Sequence, residues 1–219
     1  MNVLIIAPHR DDEILGVGGT ILKRKASGDR VSVCVVTAKS AKAYEKYTAI
    51  VDEERSLAHQ FCKVDQYIGL PFEPVILENY PRAEINKALL DVIVSEKPDE
   101  VYLPFWGDMQ KDHRLTVDAA MVVLRSKYNH PVKRIYAYET LSETGINIPN
   151  ASNAFIPNVF EDITDYIDGK VKALSFYESQ LKAFPDLRSK EAVEALAKYR
   201  GATVNIKAAE AFMLVRETR

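Results

Sequence analysis

Residues 2–20 read NVLIIAPHRDDEILGVGGT, and the change of character at Pro8 decides the fold class. The run VLIIA at 3–7 is short, apolar and rich in β-branched side chains, the pattern of a strand buried on both faces of a parallel sheet. It stops at Pro8. The polar segment PHRDDE follows; then Ile14, Leu15, Ile21 and Leu22 recur among small residues up to Ala26, with Gly28 placed to end a helix. Strand, polar loop and helix in this order open a βαβ unit.

The same alternation continues outward. Strands are expected at 31–37, weakly at 66–70, at 100–104 and at 134–138, separated by helices at about 42–61, 82–96 and about 113–127. A helical stretch at 166–182 and a closing strand at 209–215 complete the pattern, and the Asn- and Pro-containing segment 145–158 reads as a long loop. The expectation is therefore an α/β chain with a Rossmann-like, doubly wound, mainly parallel sheet flanked by helices, forming a single domain over 1–219. Such sheets bind ligands beyond the carboxyl ends of their strands, where the strand order reverses. The loops after the first and fourth strands are the natural site positions.

Those two loops hold the chemistry-bearing residues. PHRDDE packs one imidazole, His9, with Asp11, Asp12 and Glu13 where a buried strand emerges, a clustering that is costly without a partner cation. Adjacent residues on a turning backbone point differently, so one of Asp11 and Asp12 can bind a metal while the other faces water. The second loop, FWGDMQKDHR at 105–114, adds His113 with carboxylates beside it. Two histidines and a carboxylate with one position left open is the ligand pattern of catalytic zinc, and it suits Fe(II) as well.

Bulk composition narrows the partners. Hydrophobic residues make up 47% of the 219, enough for a well-buried core. The 29 basic and 31 acidic side chains leave a formal charge of -2, which gives no basic surface for a nucleic-acid backbone. Cys34 and Cys62 are too few and too far apart for a disulfide framework or a cysteine metal site and read as core thiols. No leader-like start and no apolar run of roughly 18–20 residues is visible, so a cytoplasmic enzyme with no membrane span is expected.

The sequence resembles the LmbE-like or PIG-L deacetylases. PHRDDEILGVGGT matches that family's opening strand, His-Pro-Asp-Asp-Glu and glycine-rich helix. Asp108 to His113 match its Asp-x-His-x-Asp-His segment, and NVFEDIT, YESQL, RSKEA, YRG and AEAFMLVR match its C-terminal third. The resemblance implies a zinc hydrolase of N-acetylglucosamine-type substrates, with homo-oligomers common. It implies His9, Asp12 and His113 as metal ligands and Asp11 as general base.

Two departures stand out: Arg10 replaces the family's usual proline, and Gln110 replaces a histidine credited with stabilising or protonating the tetrahedral intermediate. Glutamine donates a neutral hydrogen bond but is no acid. Asp112, beside His113, is the candidate to orient that ring. The family's helical Arg-x-x-Glu motif has Val51 before Glu54, which leaves Arg55 as the substitute; Trp106 is placed to stack on a sugar, and Asp108 is the further substrate-side candidate.

Competing readings are weaker. The kinase-like His-Arg-Asp string requires Asn five positions after the Asp, where Gly16 stands. The glycines at 16, 18 and 19 lack dinucleotide-loop spacing and read as helix-packing residues. His59 and His130 lack ligand-like neighbours and are taken as structural; Arg200 and Glu210 either shape the pocket or pair with each other. A hydrolase of another amide or ester, and a non-catalytic sugar-binding protein without the Gln110-position histidine, are the alternative functions.

Overall fold

The structure, a computed structural model, describes residues 1–40, 44–128 and 130–219. Its elements in chain order are β1 (Asn2–Ala7), α1 (Asp12–Ala26), β2 (Arg30–Val35), α2 (Glu45–Cys62), β3 (Gln66–Gly69), α3 (Arg82–Glu96) and β4 (Glu100–Pro104). After these come α4 (Lys111–Val123), β5 (Arg134–Tyr138), β6 (Val159–Asp162), α5 (Ile167–Leu174), α6 (Lys190–Ala202) and β7 (Ala209–Glu217). One seven-stranded sheet runs β3-β2-β1-β4-β5-β7-β6. The first five strands in that order are parallel, and β7 pairs antiparallel with both β5 and β6.

The continuous apolar runs of β1, β2 and β4 put them at the centre, covered on both faces. Val3, Ile5 and Ala7 join Val31, Val33 and Val35 under α1, α2, α5 and α6. Leu4, Ile6, Cys34, Val101 and Leu103 face the other way, under Ile85, Leu89 and Val92 of α3 and Ala119, Ala120 and Val123 of α4. Alternate residues of one strand thus serve two separate cores, as a period of two requires. Both cysteines are buried free thiols. Two α1 glycines have a packing reason: a Cβ at Gly19 would stand 2.8 Å from Ile163, and one at Gly16 would run into the Tyr138 ring.

Several expectations are corrected. The expected helix at 166–182 ends at Leu174. Ser175 turns its hydroxyl back to Lys172 O (2.6 Å), and Tyr177 and Ser179 are drawn off the helical path to Glu13 and Glu54. The helix α6 and the short edge strand β6 were not expected. Ser189 caps α6 by accepting from Ala192 N (3.1 Å), and Val193, Ala197 and Gly201 bury its inner face. Strand 31–37 stops at Val35, and the helix expected from about 113 starts at Lys111 and ends at Val123. The expected start of the second helix near Lys42 lies outside the described residues; α2 itself begins at Glu45. Among the described residues no helix is long and apolar enough to cross a membrane.

Candidate active site

Strand order reverses between β1 and β4: α1 leads from β1 towards β2, and β5 follows β4 on the opposite side. The loops leaving β1 and β4 therefore meet, and each ends in a helix N-terminus, of α1 and of α4. His9, Asp12 and His113 converge there, with one donor atom from each lying within 4.8 Å of the others. His9 Nδ1 and His113 Nε2 both stand 3.2 Å from Asp12 Oδ2.

Each histidine has a carboxylate behind it. His9 Nε2 lies 3.0 Å from Asp112 Oδ2, and His113 Nδ1 lies 2.8 Å from Asp108 Oδ2. Asp112 also accepts from Val75 N (2.7 Å), and Asp108 from Thr144 Oγ1 (2.5 Å). These bonds revise two expected roles. Asp112 holds His9 and not its neighbour His113, and Asp108 is fully buried against His113 and is not among the residues lining the cavity described below.

The donor set fits a dication. Among the described residues Asp12 Oδ1 is buried with no hydrogen-bond partner and His113 Nε2 meets only the Asp12 carboxylate, an expensive arrangement unless something positive binds there. Burial alone would lower the histidine pKa values, but the carboxylates outweigh it, raising His9 to about 9 and His113 to about 10. Asp12 would be raised by burial, yet His113 and His9 hold it well below the usual carboxylate range. Two imidazoles fixed by outer carboxylates around a central aspartate is the carboxylate–histidine–metal arrangement.

Asp11 sits at the start of α1, only 2% exposed, with φ of 113°, in the left-handed region. A non-glycine residue there stores roughly 1–3 kcal/mol of strain, tolerated where the surroundings over-determine it. Glu13 supplies that support: its Oε2 accepts from Asp11 N (3.1 Å), while its Oε1 is held by Tyr177 OH (2.6 Å) and lies 3.0 Å from His59 Nε2. His59, expected to lack such a neighbour, is thus part of the buttress under Asp11. Burial pushes the Asp11 carboxyl up to about 8, while Arg188, 3.2 Å from Asp11 Oδ2, pulls the other way.

The cluster opens into a cavity of about 520 Å³, whose lining includes His9, Asp11, Gln110, Glu143 and Arg188, with Tyr44, Tyr47, Val75 and Ile76 along an apolar wall. Gln110 is the residue before α4, and its backbone N donates to Glu143 Oε2 (3.2 Å). Arg10, standing where the resemblance expects proline, lines the cavity and binds Asp52 (2.6 Å).

Residues 4–124 match the protein family described as PIG-L: GlcNAc-PI de-N-acetylase. The chain belongs to this family. It is 30% identical over 201 residues to a diacetylchitobiose deacetylase of Thermococcus kodakarensis, spanning 84% of this chain and 71% of that protein. The crystal structure of N,N'-diacetylchitobiose deacetylase from Pyrococcus horikoshii superposes with a TM-score of 0.76 at 24% identity, over 98% of this chain and 83% of that one. The 4-carboxy-2-hydroxymuconate hydratase of Pseudomonas putida has the same fold, with a TM-score of 0.74 at 19% identity over 100% and 98% of the chains.

Within the PIG-L chain, the remaining candidates fall away from the cavity. Arg55 lays its guanidinium 3.6 Å from the Tyr67 ring centroid, and Trp106 packs on Phe105 and donates to Ser152 O (3.3 Å); neither is among the residues lining the cavity. Glu210 and Arg200 do not pair with each other: Arg200 binds Glu139 (2.6 Å) and Glu210 binds Lys170 (2.6 Å). The sequence reading missed Glu143 and Arg188 as cavity residues, since both come from irregular segments. The RSKEA match, which contains Arg188, was the available signal for one of them.

Proposed function

We propose that this chain is a metal-dependent hydrolase that removes the N-acetyl group of an amino-sugar conjugate. His9, Asp12 and His113 would hold zinc, or Fe(II) or another divalent ion in its place. The reading rests on one observation: two carboxylate-backed histidines and Asp12 gather donor atoms within 4.8 Å at the sheet's switch point, and His9 and Asp11 face the cavity. A dication there would supply Lewis-acid polarisation of the amide carbonyl and acidify water. Asp11 is the base, buttressed by Glu13 and kept beside Arg188, so that its carboxylate is fixed before substrate arrives. The Gln110 amide can donate to the carbonyl oxygen as charge builds there. Asp108 and Asp112 keep both imidazoles aimed.

The test is acetate release by the metal-reconstituted protein from free, disaccharide, aryl-glycosidic and nucleotide-linked N-acetylglucosamine. Neutral conjugates are expected to rank above nucleotide-linked ones. Both cavity arginines already face carboxylates, Asp52 and Asp11, and Glu73 is a further acidic residue of the lining, while Tyr47 and Val75 offer an apolar wall. No acetate from any member, with metal bound, would sink the deacetylase reading. Product analysis would then turn to other bonds, since the hydratase neighbour shows that the fold hosts other chemistry. A non-catalytic sugar-binding role would show as binding without release; against it, both Asp11 and Asp12 are retained.

Metal binding should displace protons. Without a cation, His9 and His113 are raised to about 9 and about 10, so both are protonated at neutral pH. Ligation needs them neutral, so zinc added to chelator-stripped protein in weak buffer should acidify the solution, and affinity should rise with pH across the neutral range. Calorimetry in buffers of different ionisation enthalpy reads this directly. Zinc binding with no proton release would remove these histidines as the ligands.

A further inference from the structure

Amide hydrolysis needs a proton delivered to nitrogen, because an amine does not leave as its anion. Asp11, as the base, begins the reaction by taking a proton, so a second group is required unless Asp11 returns the same proton. The described residues lining the cavity leave few choices. Arg10 is locked to Asp52 (2.6 Å), and arginine does not give up its proton. Glu73 is already engaged in an ion pair with Lys39 (2.8 Å). Gln110 and Gln180 are amides and not acids. Thr37 spends its hydroxyl proton on Pro8 O (2.7 Å). Tyr44 and Tyr47 stand on the outer wall, 64% and 49% exposed.

Glu143 is different. It lines the same cavity as His9 and Asp11, makes no ion pair within 4.0 Å among the described residues, and its carboxylate sits on the backbone N of Gln110 (3.2 Å) at the mouth of α4. The preceding residue is tied to Glu143 as well, with Met109 N donating to Glu143 O (3.1 Å). We propose that Glu143 is the proton donor of this site, protonating the amine nitrogen as its bond to the acetyl carbon breaks. This rests on the deacetylase reading above.

The balance closes. Asp11 takes one proton from water as the oxygen–carbon bond forms; Glu143 gives one to nitrogen as the carbon–nitrogen bond breaks. The products are the free amine and acetic acid, and the two carboxyls are reset through solvent. Burial raises the pKa of this carboxyl and Asp12 adds to the rise, against the opposing pull of His113, His9 and Arg188.

The experiment uses zinc-loaded protein, Glu143→Gln, and two probes: N,N'-diacetylchitobiose, whose amine must be protonated, and 4-nitrophenyl acetate, whose phenolate leaves unaided. Glutamine keeps the acceptor for Gln110 N, so folding and metal content should hold. Amide turnover should fall by about 10²- to 10⁴-fold, with ester turnover unchanged within about twofold. Asp11→Asn should depress both. Equal loss on both probes, or no loss on either, overturns the assignment; the second outcome leaves Asp11 to carry its proton back. An arm independent of turnover follows the Glu143 carboxyl carbon by NMR in the zinc-loaded protein. Titration above the ordinary glutamate range supports the proposal, and titration at or below that range overturns it. If the wild type releases no acetate, the deacetylase reading fails and this titration alone decides the state of Glu143.

Discussion

Replacing Asp11 by Asn is expected to leave metal content unchanged and to lower kcat by about 10²- to 10⁴-fold, the range for loss of a positioned general base. The substitution isolates chemistry from structure. Asparagine is among the few residues that adopt left-handed backbone readily, so the φ of 113° and the Asp11 N bond to Glu13 can persist. His9, Asp12 and His113 keep every partner, because none of their carboxylate contacts involves Asp11. What disappears is the ability to take a proton from water. Because the base must be ionised, wild-type rate should rise with pH through the Asp11 pKa, and the residual activity of the variant should lack that limb. Metal analysis beside initial rates checks both halves. A fully metallated Asp11→Asn with more than about a tenth of wild-type kcat, where loss of a general base costs at least about a hundredfold, would rule Asp11 out as the base.

Much of this site could be read before any coordinates, and the unread part has a common cause. His9, Asp12 and His113 were legible because their loops follow two apolar strands that the switch-point rule places side by side. The carboxylate partners were not. Adjacency in sequence pairs Asp112 with His113, but successive residues at a helix start diverge by about 100°, so Asp112 turns to His9 and His113 is left for Asp108. The same holds for His59, whose partner Glu13 lies 46 positions away in sequence. Glu143 and Arg188 come from segments with no periodicity, where only the folded path says which side chain faces inward. The helix α5 was overextended because Phe176 and Leu181 suit a helical pattern, while the pull of Glu13 on Tyr177 and of Glu54 on Ser179 is a tertiary effect.

The second large effect is on stability and lies away from the cavity. Lys170 of α5 and Glu210 of β7 form a buried pair, Nζ to Oε1 at 2.6 Å, each no more than 5% exposed. Glu210 also accepts from Gly19 N (2.8 Å) and Thr20 N (2.7 Å) of α1, so one carboxylate ties three elements together. Breaking a buried pair from one side leaves a charge without its counter-ion, at a cost of about 3–5 kcal/mol. Glu210→Leu should fall in that range, since it strands Lys170 and two backbone donors. For a chain of this length the thermal midpoint should drop by roughly 6–20 °C. Lys170→Met should cost less, because the two N–H groups still support the carboxylate. The double variant Lys170→Met with Glu210→Leu should recover most of the loss carried by the stranded lysine, since two apolar side chains of similar size often replace a buried ion pair at little cost. It should not recover all of it, because Gly19 and Thr20 N–H remain without their acceptor. A thermal-unfolding cycle of the four proteins measures the coupling. Single variants each within about 0.5 kcal/mol of wild type, the scatter of ordinary surface changes, would mean the pair is not what fixes the C-terminal strand to α1. Because α1 begins at Asp12, with Asp11 immediately before it, metal content measured on the same samples shows whether that anchoring reaches the site.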